Sequence, residues 1–234
     1  MKEKTGQIFS IPNDNPSVAG CTVSKNIYCK NGYDINYFSL AEDTDISAET
    51  YEYPKICLVN SGSMEVYTSD NEVWKLSKDE SIVLPMGKPV GMRTKTGCIY
   101  TEIAITKESN MNKVLESGKV LKLADLLPYQ ESRIVNMDLI NDEKLKFVIM
   151  SFDEGTGLSE HSAPGEALIF ALDGNGIIGY EGKEHHIKAG ENFKFAKNGK
   201  HYVKADGKFK MALLLTLEWV YSCSNFYNKG YCVF

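Results

Sequence analysis

Both halves of this 234-residue chain keep one rhythm: short apolar runs, each closed by residues that tolerate a positive φ. In the second half the runs are ALIFAL, GIIGY, NFKFA, YVKA and KMALLLTLEWV, with turn signals at Asp173–Gly176, Glu181–Lys183, Ala189–Asn192 and Asn198–Lys200. In the first half KICLVN, SMEVYT, EVWKLS, SIVLPM and IYTEIAI follow the same beat. Runs this short, at this spacing, belong to antiparallel strands of a barrel or sandwich. The fold class read from them is all-β.

The rhythm is also an internal repeat. Setting Gly62 against Gly174 aligns ICLVNSGSMEVY with LIFALDGNGIIG, and LSKDESIVLPMGKPV then falls on IKAGENFKFAKNGKH. Between the repeats, Glu108–Ser132 carries Leu115, Val120, Leu121 and Leu123, and its run ADLLPY stops before Pro128 as a short helix would. The expected organisation is a first barrel over residues 1–110, a partly helical linker over 111–132, and a second barrel over 133–234. Residues 1–50 are weakly patterned, with INYFSL (Ile35–Leu40) the clearest strand and an acidic turn at Ala41–Asp45.

The second half resembles the cupins, jelly-roll barrels whose first motif is G-x5-H-x-H-x3-E-x6-G and whose second is G-x5-P-x-G-x2-H-x3-N. Here the first falls on Gly155, His161, Ala163, Ala167 and Gly174, and the second on Gly190, Ala196, Asn198, His201 and Ala205. The resemblance implies two tandem cupin-type barrels, the first degenerate. It also implies a metal site at the motif histidines and glutamate, of which His161 and His201 remain. In the first half the equivalent places hold Glu49, Tyr51, Lys55 and Val90, while Pro85 and Gly87 keep their second-motif positions.

Glu166 stands one residue before the place of the family glutamate. Strand alternation points it out of the barrel, whereas a bulge at Pro164–Gly165 would turn it inward, so it is the candidate third ligand beside His161 and His201. The cofactor implied is one divalent transition metal (Zn, Ni, Fe or Mn) in the second barrel, and its absence is the alternative. Candidate ligand-binding residues are His161, His201, Phe170, Phe195, Tyr202 and Met211, with Phe193 as a further wall. His185 and His186, next to a turn, are read as surface residues.

Composition narrows the partners. The formal net charge of -5 and the lack of a Lys/Arg block argue against nucleic acid. The start, MKEKTGQIFSIPNDN, has no apolar stretch of membrane or secretory length, so no membrane is expected and the cytoplasm is the expected location. Six cysteines without a C-x-x-C pair argue against a zinc ribbon or a redox motif, and Cys57 and Cys98 read as core residues. The last sixteen residues carry Trp219, Tyr221, Phe226, Tyr227, Tyr231 and Phe234, which pack on their own barrel or contribute to an interface. That tail and the family resemblance point to a homodimer.

Three roles follow from the resemblance. A non-enzymatic barrel binding a small molecule stands first; a metal-dependent dioxygenase, isomerase or lyase using His161 and His201 is the alternative; a storage role stands last. Whether the chain is an enzyme is left open at this point, because one barrel carries many chemistries.

Overall fold

The structure is a computed structural model that describes residues 1–106 and 109–217. The C-terminal aromatic tail, with Cys223 and Cys232, therefore lies outside the described residues. In chain order the strands are β1 (Ile8–Phe9), β2 (Thr22–Lys30), β3 (Tyr33–Leu40), β4 (Asp45–Thr50), β5 (Lys55–Thr68), β6 (Val73–Ser77), β7 (Glu80–Val83), β8 (Pro89–Arg93) and β9 (Cys98–Ile105). They continue with β10 (Leu121–Lys122), β11 (Ile134–Asn141), β12 (Leu145–Phe152), β13 (Gly157–His161), β14 (Gly165–Tyr180), β15 (Lys183–Lys188), β16 (Asn192–Phe195) and β17 (His201–Leu217). One helical turn, α1 (Ile11–Asp14), is capped by Ser10. The helix expected in the linker is a single 3-10 turn at Leu123–Leu126, and Leu127 before Pro128 is already extended.

The strands form two curled, antiparallel sheets of the jelly-roll kind. The first runs β10-β7-β5-β9-β3-β2 with β4, β6 and β8 folded over it; the second runs β1-β16-β14-β17-β12-β11 with β13 and β15 folded over it. The aligned glycines are physically equivalent. Gly62 in β5 and Gly174 in β14 have φ of +76° and +70°, and a Cβ there would lie 2.1 Å from the Gly97 carbonyl oxygen and 1.9 Å from that of Lys208. Each sits where the register of its long strand shifts against the neighbouring strand. Only glycine allows both the positive φ and the close approach.

Alternation along these strands sets three apolar clusters. On β5, Cys57 and Val59 face the first barrel's interior and Ile56 and Leu58 face away; on β14, Ala167, Ile169 and Ala171 face the second interior and Leu168 and Phe170 face away. The outward sets meet between the barrels, where Ile27, Tyr33, Ile35 and Ile103 share one cluster with Leu139, Phe147, Ile149 and Leu214. Back-to-back burial of this kind joins the two barrels through apolar surface.

The first residues behave otherwise than their place in the chain suggests. Ile8 and Phe9 pair with Phe193 and Asn192 of the second sheet, the Gly6 N–H donates to the Lys194 carbonyl at 3.0 Å, and the Ile11 N–H donates to Asn192 Oδ1 at 3.2 Å. The Lys2 N–H meanwhile donates to the Ile27 carbonyl of the first sheet. Residues 1–11 thus strap both barrels. The linker is bound as well: β10 pairs with β7, Met111 bridges to Ile140, and Lys210 Nζ donates to the Ala124 carbonyl at 2.7 Å.

Candidate functional site

His161 ends β13 and His201 begins β17, and the two are direct partners in the ladder. Their rings stand 4.4 Å apart between centroids, inclined by 55°. His201 is buried and His161 exposed, so the pair runs from the barrel interior to its mouth. Each ring is held by the same device. His161 Nδ1 lies 2.8 Å from the Ser159 carbonyl oxygen and His201 Nδ1 lies 2.8 Å from that of Gly199. A carbonyl oxygen only accepts, so in each bond Nδ1 carries the hydrogen, and in the neutral ring Nε2 keeps its lone pair.

Phe195 covers the other face of His201, with centroids 4.1 Å apart and planes 20° from parallel. Behind it Phe193 and Tyr180 continue the aromatic wall, and the Tyr180 hydroxyl accepts from the Ala196 N–H at 3.4 Å. Burial holds the His201 imidazole below its usual range, the nearby His161 adds to that, and the Gly199 carbonyl opposes it. His201 is therefore neutral near pH 7.

The other candidates divide by strand parity. Met211 faces the same interior as His201, and so does Phe193. Phe170 does not: it points into the seam between the barrels, edge-on to Phe147 at 6.5 Å. Tyr202 follows His201 directly and so takes the opposite face, where it covers Gly179 and donates its hydroxyl to Glu184. Alternation from the motif positions contains both corrections, because Phe170 and Tyr202 each stand an odd number of residues from an inward-facing position.

Glu166 also faces outward, as alternation expects. Its carboxylate is held by Lys194 Nζ at 2.6 Å and by the Met1 amine, and these cations keep it below the usual range against the opposing effect of burial. It is not brought to the histidine pair. His185, read as a surface residue, is instead half-buried with its ring 5.0 Å from Phe193, while His186 faces out toward Asp206 at 3.8 Å. Adjacent strand residues cannot both face solvent when one face covers a core.

The fit of a metal can be judged from the donors. His161 and His201 offer two imidazole nitrogens; Ala163 and Ala167 stand at the remaining motif places. Among the described residues no group of three or more His, Cys, Asp or Glu is arranged to hold a metal ion. Two such ligands fall short of the three a catalytic site supplies, so the described residues do not fit a resident metal.

Comparison with known proteins agrees with this architecture. Residues 148–217 match the family model described as Cupin domain. The matched residues lie within the second barrel. A cupin 2 conserved barrel domain protein from Leptotrichia buccalis is 27% identical over 92% of this chain and 98% of its own, with a TM-score of 0.80. Salicylate 1,2-dioxygenase from Pseudoaminobacter salicylatoxidans (9% identity, 90% of this chain and 81% of its own, TM-score 0.62) and oxalate decarboxylase from Lactobacillus farciminis (9%, 93% and 88%, 0.52) share the fold alone. No curated protein matches the sequence. No helix among the described residues is long and apolar enough to cross a membrane.

The cysteines behave as core residues. Cys57 and Cys98 are buried in the first barrel, and burial pushes Cys98 up to about 12 and Cys57 well above its usual value. Neither is a thiolate nucleophile at neutral pH.

Proposed function

We propose that the protein binds a small molecule inside the second barrel, beside His161 and His201, and that the ligand presents two hydrogen-bond donors. The observation that carries this is the pair of carbonyl-held Nδ1–H groups, which leaves two Nε2 lone pairs on rings 4.4 Å apart. Two acceptors suit a polyol, an amino alcohol or an amide, and lone pairs turned toward a carboxylate oxygen repel it. Phe195 backs the inner imidazole and keeps water from that face. On this reading the chain is a two-domain cupin, residues 1–110 and 133–234 joined by 111–132, working as a cytoplasmic homodimer.

The second reading, a metal-dependent dioxygenase, isomerase or lyase using His161 and His201, is favoured by the same lone pairs, which are ligands as well as acceptors. The ligand count opposes it.

One experiment separates the two. Thermal shifts at pH 7.5 with polyols, amino alcohols, amides and dicarboxylates are compared between the wild type and the His161→Ala/His201→Ala variant, alongside metal analysis of untagged protein. A donor-bearing ligand that raises Tm only in the wild type supports binding. A stoichiometric metal lost in the variant supports the enzyme reading. A response confined to dicarboxylates, or one kept by the variant, overturns the proposal.

A further inference from the structure

The first barrel has lost every histidine of the motif, yet its interior is not apolar where the motif falls. The registers show which residues are equivalent. Glu49 of β4 pairs with Val90 of β8 as His161 pairs with His201, and Lys55 of β5 pairs with Ala104 of β9 as Ala167 pairs with Leu215. Tyr51 and Lys55 therefore occupy the places of Ala163 and Ala167. The two barrels differ at the motif places: the second has histidine where the first has Glu49 and Val90, and the first has Tyr51 and Lys55 where the second has alanine.

Those side chains meet a third. Lys55 Nζ lies 3.1 Å from Glu102 Oε1 and 3.3 Å from Oε2, and 4.0 Å from the centre of the Tyr51 ring. The exposure of the two charged side chains is 13% and 4%, and Tyr51 is buried. Glu102 comes from β9, from the same face as Tyr100 and beside Cys57, so its carboxylate is aimed into the barrel. The ammonium thus has a carboxylate on one side and an aromatic face on the other, which is a satisfied environment for a buried monovalent cation.

We propose that the Lys55 ammonium is the resident cation of the first barrel, standing where the motif would otherwise set a metal ion, with Glu102 as its counter-ion and the Tyr51 ring as its cover. A like charge at this spacing repels a divalent ion, and the Lys55 side chain fills the position from which a ligand would reach it. Burial pushes the Glu102 carboxyl above its usual range, with Lys55 drawing it down and Glu49 adding to the rise.

Two sets of full-length variants test this. In a double-mutant cycle, Lys55→Met should lower Tm by leaving Glu102 buried without its partner, and Lys55→Met/Glu102→Gln should recover most of the loss. In a His161→Ala/His201→Ala background, titration calorimetry with Mn²⁺ should detect no stoichiometric binding. Adding Lys55→Glu should create a site for about one Mn²⁺ per chain, with a metal-dependent rise in Tm that chelator reverses. The proposal is overturned if the cycle's double variant is no more stable than Lys55→Met, or if the Lys55-bearing protein binds Mn²⁺. It is equally overturned if the Lys55→Glu protein binds none, whether folded or unfolded with and without the ion.

Discussion

Phe195 lies flat against His201, with ring centroids 4.1 Å apart and planes 20° from parallel, so the imidazole has one dry face and one face turned to His161. The contact ties the aromatic interior of the second barrel to its only buried histidine among the described residues. It also sets the charge state of that histidine, because a stacked, buried ring is poorly solvated as a cation.

The pH dependence follows in sign. The folded-state value of His201 is lowered from 6.5, so the folded chain binds this proton less tightly than the unfolded chain. The associated stability is present above pH 6.5 and is lost as pH falls through the depressed value. Proton NMR titration should give a His201 midpoint below 6.5, and Phe195→Leu should move it upward. A midpoint at or above 6.5 in the wild type would contradict the burial argument.

The strand bends depend on two glycines. Gly62→Ala and Gly174→Ala each combine a positive φ with an approach near 2 Å to a carbonyl oxygen. Each should cost roughly 2 kcal/mol or more. Gly182, at φ +78° with nothing within 4 Å of a Cβ, isolates the backbone effect alone. Gly182→Ala should cost only about 1–2 kcal/mol. Urea unfolding of the three variants measures the difference, and equal losses would refute the steric role of the bends.

Phe170 and Tyr202 separate packing from binding. Phe170→Ala removes a ring from the seam between the barrels and should destabilise by about 3–5 kcal/mol. Tyr202→Phe removes only an exposed hydroxyl contact with Glu184 and should leave any ligand-induced rise in Tm as in the wild type. Loss of that response in Tyr202→Phe would return the residue to the binding site.

The homodimer is tested by light scattering at micromolar concentration. The expected species has twice the mass of one chain. A single-chain mass across that range would remove the homodimer from the proposal.

Much of this molecule is written locally. The strand and turn rhythm, the glycine pair at 62 and 174, and the placement of His161 and His201 all rest on terms acting within a few residues: positive φ at a bend, alternation along a strand, a turn residue at a fixed offset. Alternation even holds the outward direction of Glu166 and the misplacement of Phe170 and Tyr202. Other features leave no such mark. Ile8 and Phe9 look like a loose start, and only the edge of β16 makes them part of the second sheet. Glu102 reads as one charged residue in the run IYTEIAI, and only the pairing of β9 with β5 brings it within 3.1 Å of Lys55. Sequence determined which stretches become strands and where they bend, because backbone sterics and side-chain period are short-range. Tertiary structure decided which face meets which partner, because burial and ion pairing are set by whatever strand arrives from elsewhere in the chain.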